Sequence, residues 1–259
     1  MYYEVHGRQA DDAPTIILSS GLGGAGAYWL PQIDTLAASM CVVIYDHRGT
    51  GHTGGALPDS YRIADMADDV LEIADRLKLD RFHFMGHALG GLVGLDLTLR
   101  RPELLSSLVL VNAWSKVDPH TERCFDVRLN LLEKAGVAAF LKAQPLFLYP
   151  AVWMSENAER LAAEEAHGLV HFQGEHNLLK RISALRAFDI DDRVNEIMTP
   201  TLIAATRDDL LVPFTRSQRL AERLANALLT LTDFGGHAVN VTAPDTFNAD
   251  VLAFLEQHI

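Results

Sequence analysis

Three positions in this 259-residue chain could form one reaction centre. In "TRDDLLVP", Asp209 follows an apolar strand-like run and precedes "LLVP". In "DFGGHAVN", His237 sits in a glycine loop behind another such run. A carboxylate paired with an imidazole is the machinery of general-base catalysis: the carboxylate fixes the tautomer and the free ring nitrogen takes a proton. The proton should come from a nucleophile on a sharp strand-to-helix turn with the spacing G-x-S-x-G. The stretch "GHALGG" has that spacing in Gly86, Ala88 and Gly90, but its centre is a methyl group. An alanine forms no covalent intermediate, so any hydrolysis here must activate water.

Such a site also needs donors for a developing oxyanion. "SSGLGGAG" follows the strand-like "TIILSS", and the backbone N–H groups of Leu22 and Leu89 are the expected donors. Leu89 also opens a helix, whose N-terminus favours negative charge. Asp208 reads as a solvated neighbour of Asp209. Nothing in the sequence places Ser19 or Ser20 beside His237. "DHRGTGHT" reads as a structural loop, with Asp46 and Arg48 hydrogen-bonded inside it.

These residues need a scaffold. Apolar, β-branched runs begin at Thr15, Cys41, Arg81, Ser107 and Pro200, and "LLTLT" forms a last one. Amphipathic segments alternate with them, including "ADMADDVLEIADRLKL" and the closing "PDTFNADVLAFLEQHI". This alternation predicts a mostly parallel sheet flanked by helices, an α/β fold. Glycines 86 and 90 leave room for the strand–helix crossing, and Gly91 and Gly94 for close helix packing. Between residues 113 and 190 strand alternation disappears. The expected organisation is therefore a core of residues 1–112 and 191–259 with a helical cap insertion of 113–190. Trp114, Phe147, Tyr149 and Trp153 read as cap core, and Arg123, Arg128 and Lys134 as a solvated helix face.

Composition narrows the partners. The chain is 49% hydrophobic with a formal charge of −12, which disfavours nucleic acid and anionic membranes. No apolar run reaches a membrane span, and no signal peptide is visible. Cys41 and Cys124 read as buried thiols of a reducing compartment, so a cytoplasmic location is expected. His167 and His171 stand at i,i+4 near His176 but lack a third ligand, so no metal is expected. "SGLGGAG" lacks the acidic ribose partner of a dinucleotide loop, so no cofactor is expected. The expected partner is a small-molecule substrate, and pairing of two chains into a homodimer stays open.

From end to end the chain resembles the α/β-hydrolases, whose order is nucleophile, acid, histidine. Within them it is similar to the pyrimidine-utilisation hydrolases, through "SGLGGAGAYWLPQ", "YDHRGTG", "GHALGGLVG", "QPLFLYPAVWM", "HFQGEHNLLKRISAL", "DDLLVP" and "GGHAVNVT". The resemblance covers core and insertion alike. It implies that alanine at position 88 is native, and that the substrate is carbamate or 3-aminoacrylate. Two alternatives stay open: a serine esterase in which Ala88 replaces the native nucleophile, and a non-catalytic ligand-binding module on the same fold.

Overall fold

The computed structural model describes residues 1–9 and 13–259. Seven strands form one sheet in the order β1-β3-β2-β4-β5-β6-β7. They are β1 (Tyr3–Gly7), β2 (Thr15–Ser19), β3 (Cys41–Tyr45), β4 (Phe82–His87), β5 (Leu105–Val111), β6 (Thr201–Thr206) and β7 (Ala227–Thr232). All neighbours run parallel except β1, which pairs antiparallel with β3. The central strands are buried on both faces, as parallel strands covered by helices must be. β1 and β7 are the edges and are only partly buried. β1 was not evident in the sequence, because "YEVHG" mixes polar and apolar residues at an edge.

Side chains alternate across the sheet, so Ile16, Leu18, Val42 and Met85 enter one core and Ile17, Val43 and Phe84 the other. Helices α1 (Leu30–Ala37), α2 (Ile63–Arg76) and α3 (Leu89–Arg100) follow the first crossovers. Four helices lie between β5 and β6: α4 (Pro119–Leu148), α5 (Ala151–Glu156), α6 (Ala158–Val170) and α7 (Glu175–Ala187). Asp118 caps α4 by accepting the Thr121 N–H at 2.7 Å, and the helix changes direction at Gly136, where φ is 83°. The chain closes with α8 (Thr215–Arg223), α9 (Val239–Thr242) and α10 (Pro244–Leu255). Among the described residues no helix is long and apolar enough to cross a membrane. Cys41 and Cys124 are buried free thiols.

Candidate active site

The turn between β4 and α3 is forced by close packing. A Cβ on Gly86 would lie 2.2 Å from the Gly90 carbonyl oxygen, and one on Gly90 would lie 2.2 Å from that of Ser19. Only glycine lets strand and helix cross so tightly. Ala88, between them, adopts φ 48° and ψ −109°, a region that costs a non-glycine residue about 1–3 kcal/mol. Its N–H donates to Val111 O at 2.8 Å and its carbonyl accepts from Leu92 N at 3.2 Å, so both sides of the turn are held. Leu89 begins α3, where its N–H has no partner within the helix.

Asp209 and His237 meet directly. His237 Nδ1–H donates to Asp209 Oδ2 at 2.8 Å, and both residues are buried. Asp209 Oδ1 accepts the N–H groups of Leu211 and Val212 at 2.8 and 2.9 Å. These bonds fix the plane of the carboxyl group. With Nδ1 engaged, Nε2 is the His237 nitrogen left for chemistry. His237, Ala88, Leu22 and Leu89 line one cavity of about 520 Å³. The structure thus brings His237, the elbow and both expected donors to a single space.

The loop carrying His237 is held by residues that sequence reasoning missed. Asn112, at φ 48° just past β5, donates Nδ2–H to the His237 carbonyl at 2.8 Å. His87 Nε2–H donates to the same carbonyl at 2.8 Å, and its ring lies edge-on to His237 at 4.7 Å. Burial drives the His87 pKa well below normal, so the ring is neutral and Nδ1 carries a lone pair with no partner. Thr206 Oγ1–H donates to Gly236 O at 2.8 Å. Asp208 is not merely a solvated neighbour, as it accepts the N–H of Gly236 at 2.8 Å and of Gly235 at 3.3 Å. The available signal was a polar residue closing an apolar strand, as in "SLVLVN", but its partner lies far along the chain.

The loop carrying Leu22 is held from the inserted helices. The Leu22 carbonyl accepts from Gln173 Nε2 at 3.2 Å and Arg181 Nη1 at 3.3 Å. Arg181 also donates to Arg48 O at 2.7 Å and Gln173 Oε1 at 2.6 Å. This explains "HFQGEHNLLKR": the segment braces the Leu22 loop. Asp46 stays inside its own loop, accepting the His52 N–H, and also accepts the Gly26 N–H, each at 2.9 Å. Arg48 instead leaves its loop to pair with Asp69 of α2.

Residues between β5 and β6 supply part of the cavity's remaining wall, and Tyr28, Leu30, Pro31, Leu211 and Val241 supply another part. Trp114 and Tyr149 line the cavity, and Trp114 is at the same time part of the buried hydrophobic core. Arg160 Nε donates to Glu164 Oε1 at 2.9 Å, and Tyr149 OH donates to Glu164 Oε2 at 3.1 Å, so this carboxylate is doubly satisfied. Arg128 is not on a solvated face: it is 2% exposed and lines the cavity. Ser20 also lines the cavity, and its hydroxyl is buried without a partner. His167 and His171 have ring centroids 4.3 Å apart, but no group of three metal-ligating side chains occurs among the described residues.

A parallel sheet with a glycine-flanked turn, an acid after β6 and a histidine after β7 is the architecture of an α/β-hydrolase. A family model described as the alpha/beta hydrolase fold matches residues 14–146, and the chain belongs to that family. Within it, the chain groups with the RutD proteins. It is 69% identical to the "Putative carbamate hydrolase RutD" of Rhizobium rhizogenes, over 98% of this chain and 97% of the relative. A protein of the same name from Agrobacterium fabrum is 65% identical over 98% of both chains. Among solved structures, the enol-lactonase of Burkholderia xenovorans LB400 superposes with a TM-score of 0.89 at 26% identity. That match covers 98% of this chain and 96% of the enzyme.

Proposed function

We propose that this α/β-hydrolase cleaves a small, labile C–N substrate of pyrimidine utilisation by activating water. The substrate is carbamate or 3-aminoacrylate, and residues 113–190 act as the cap over the site. The observation that carries this reading is the His237–Asp209 pair facing a cavity where the elbow holds alanine in a nucleophile's backbone conformation. Asp209 holds His237 in the Nδ1–H tautomer, so Nε2 is the base. A water occupies the space that a serine hydroxyl would fill. His237 Nε2 takes its proton as the oxygen bonds to the substrate carbon. With carbamate, the resulting oxyanion is stabilised by the Leu22 and Leu89 N–H groups. His237 returns the proton to nitrogen, the C–N bond breaks, and the products are ammonia and bicarbonate. With 3-aminoacrylate, addition of one water and loss of ammonia give malonic semialdehyde.

A site without a covalent nucleophile gives modest acceleration. Serine hydrolases stripped of a triad member retain about 10³–10⁴-fold over water from the donors and binding alone. Substrates that already decompose in water suit such a device. The names of the RutD relatives, which describe carbamate hydrolases, support the same reading. The test is breakdown of freshly generated carbamate and 3-aminoacrylate with and without enzyme. Wild-type protein is expected to accelerate one of them and His237→Ala to lose that acceleration. Acceleration surviving in His237→Ala rules out the general-base mechanism. No acceleration of either substrate leaves the ligand-binding module as the better reading.

A further inference from the structure

Arg128 and Arg181 are both buried arginines without a carboxylate partner, but Arg181 donates to Leu22 O, Arg48 O and Gln173 Oε1, whereas Arg128 faces the cavity. It projects from α4, is 2% exposed and lines the same cavity as His237. Among the described residues its guanidinium has one polar partner, Gln144, whose Oε1 accepts from Nη2. No carboxylate pairs with it, and its Nε–H is buried without an acceptor. Three rings surround it instead: Phe125, Phe140 and Phe147, with centroids 5.0, 5.4 and 5.6 Å from the guanidinium carbon. Burial lowers its pKa to about 10, so it remains a cation at neutral pH.

A buried charge without a counter-ion is costly, and ring faces offset only part of that cost. The cavity has one other cation, Arg160, and it is already bonded to Glu164. Asp209 lies behind His237 with both oxygens occupied. The cavity wall therefore carries one unmatched positive charge in a chain of net charge −12. The planar fork of an arginine held on one side by Gln144 suits a carboxylate.

We propose that Arg128 binds the substrate's carboxylate, and that the substrate is a carboxylate whose reacting C–N carbon lies apart from that anchor. This rests on the hydrolase reading and selects within it the 3-aminoacrylate type over carbamate. In carbamate the carboxylate carbon is itself the reaction centre, so its oxygens belong at Leu22 and Leu89. It would leave Arg128 unmatched. A three-carbon amino acid enamine places its carboxylate on Arg128 and its C–N carbon toward His237.

The test separates binding from turnover. Malonate, a stable dicarboxylate of the same chain length as the product, is titrated calorimetrically against malonamide, its neutral counterpart. Wild-type protein is expected to bind malonate and not malonamide, and Arg128→Gln to weaken malonate by at least about 30-fold. Arg128→Lys, which keeps charge but not the fork, falls between them. In turnover of 3-aminoacrylate, Arg128→Gln is expected to raise KM far more than it lowers kcat. Equal binding of malonate by wild type and Arg128→Gln overturns the proposal. So does failure of wild type to prefer malonate over malonamide, which needs no variant to fold. Loss of malonate binding in Arg128→Gln without turnover by any protein keeps the anchor and removes the hydrolase reading.

Discussion

His87 donates its Nε2–H to the backbone carbonyl of His237 at 2.8 Å. The residue preceding the elbow therefore braces the loop that carries the candidate base, together with Asn112. His87→Phe fills the space but removes the donor. A misplacement of about 1 Å can cost about 10²-fold in rate, so a fall in kcat between tenfold and a hundredfold is expected. His87→Gln, able to reach the same carbonyl, should recover most of it. Steady-state kinetics decide the point, and a loss confined to KM would assign His87 to substrate contact instead.

Ala88 retains a nucleophile's backbone, so a hydroxyl added there needs no rearrangement. Ala88→Ser is expected to show a small acyl burst with activated esters in stopped flow. Turnover of the native substrate should fall, because the hydroxyl displaces the water. A large esterase gain instead favours the serine esterase reading, with a pocket already shaped for an ester.

Wild-type protein should resist fluorophosphonate labelling, since no serine stands at the elbow. Ser20 is the residue to watch, because its hydroxyl is unpartnered at the cavity wall. Stoichiometric modification of Ser20 by intact-mass and peptide analysis would relocate the nucleophile.

Ala88 pays for its shape in stability. Ala88→Gly relieves about 1–3 kcal/mol of backbone strain and gives back about 0.5–1 kcal/mol in unfolded-state entropy. A rise of about 1 kcal/mol in unfolding free energy is expected from urea titration. Gly90→Ala should do the reverse and prevent stable folding, because its Cβ would meet the Ser19 backbone at 2.2 Å.

Acid should destabilise the fold well above the carboxylate range. Burial lowers His47 to about 3 and His83 to about 4. The unfolded chain takes up these protons near pH 6.5 and the native state does not. Their contribution is full above pH 6.5 and falls by about 1.4 kcal/mol per histidine per pH unit on acidification below it. Between pH 6.5 and 5 the urea midpoint should drop steeply. His83→Asn, which retains a partner for Ser107 Oγ, should flatten that slope by one proton.

The fold was legible because its signals are local. Buried strands such as "CVVIY" read as continuous apolar runs; Asp209 follows such a strand in β6, and His237 follows β7, an edge strand marked by its Leu–Thr alternation. β1 was not legible, since an edge strand needs only one covered face. Arg128 was misread for a different reason. In α4 its neighbours include charged residues, and spacing alone places it on a wet surface. Its aromatic surroundings arise because Phe140 and Phe147 lie beyond the change of direction at Gly136 and fold back over it. Asn112 and His87 were missed because the carbonyl they hold lies more than a hundred residues away, and pairing across that distance leaves no trace in composition or period.

The preserved elbow has a genetic consequence. Every alanine codon becomes a serine codon by one base change, and here the turn, the proposed base and the proposed donor loops are already assembled. A lineage carrying this gene can therefore sample covalent catalysis by point mutation without passing through an unfolded intermediate. On the proposed mechanism, the same step in reverse would turn a serine enzyme into one that uses water. On this scaffold the two chemistries are adjacent in sequence space, and selection on the substrate decides which one persists.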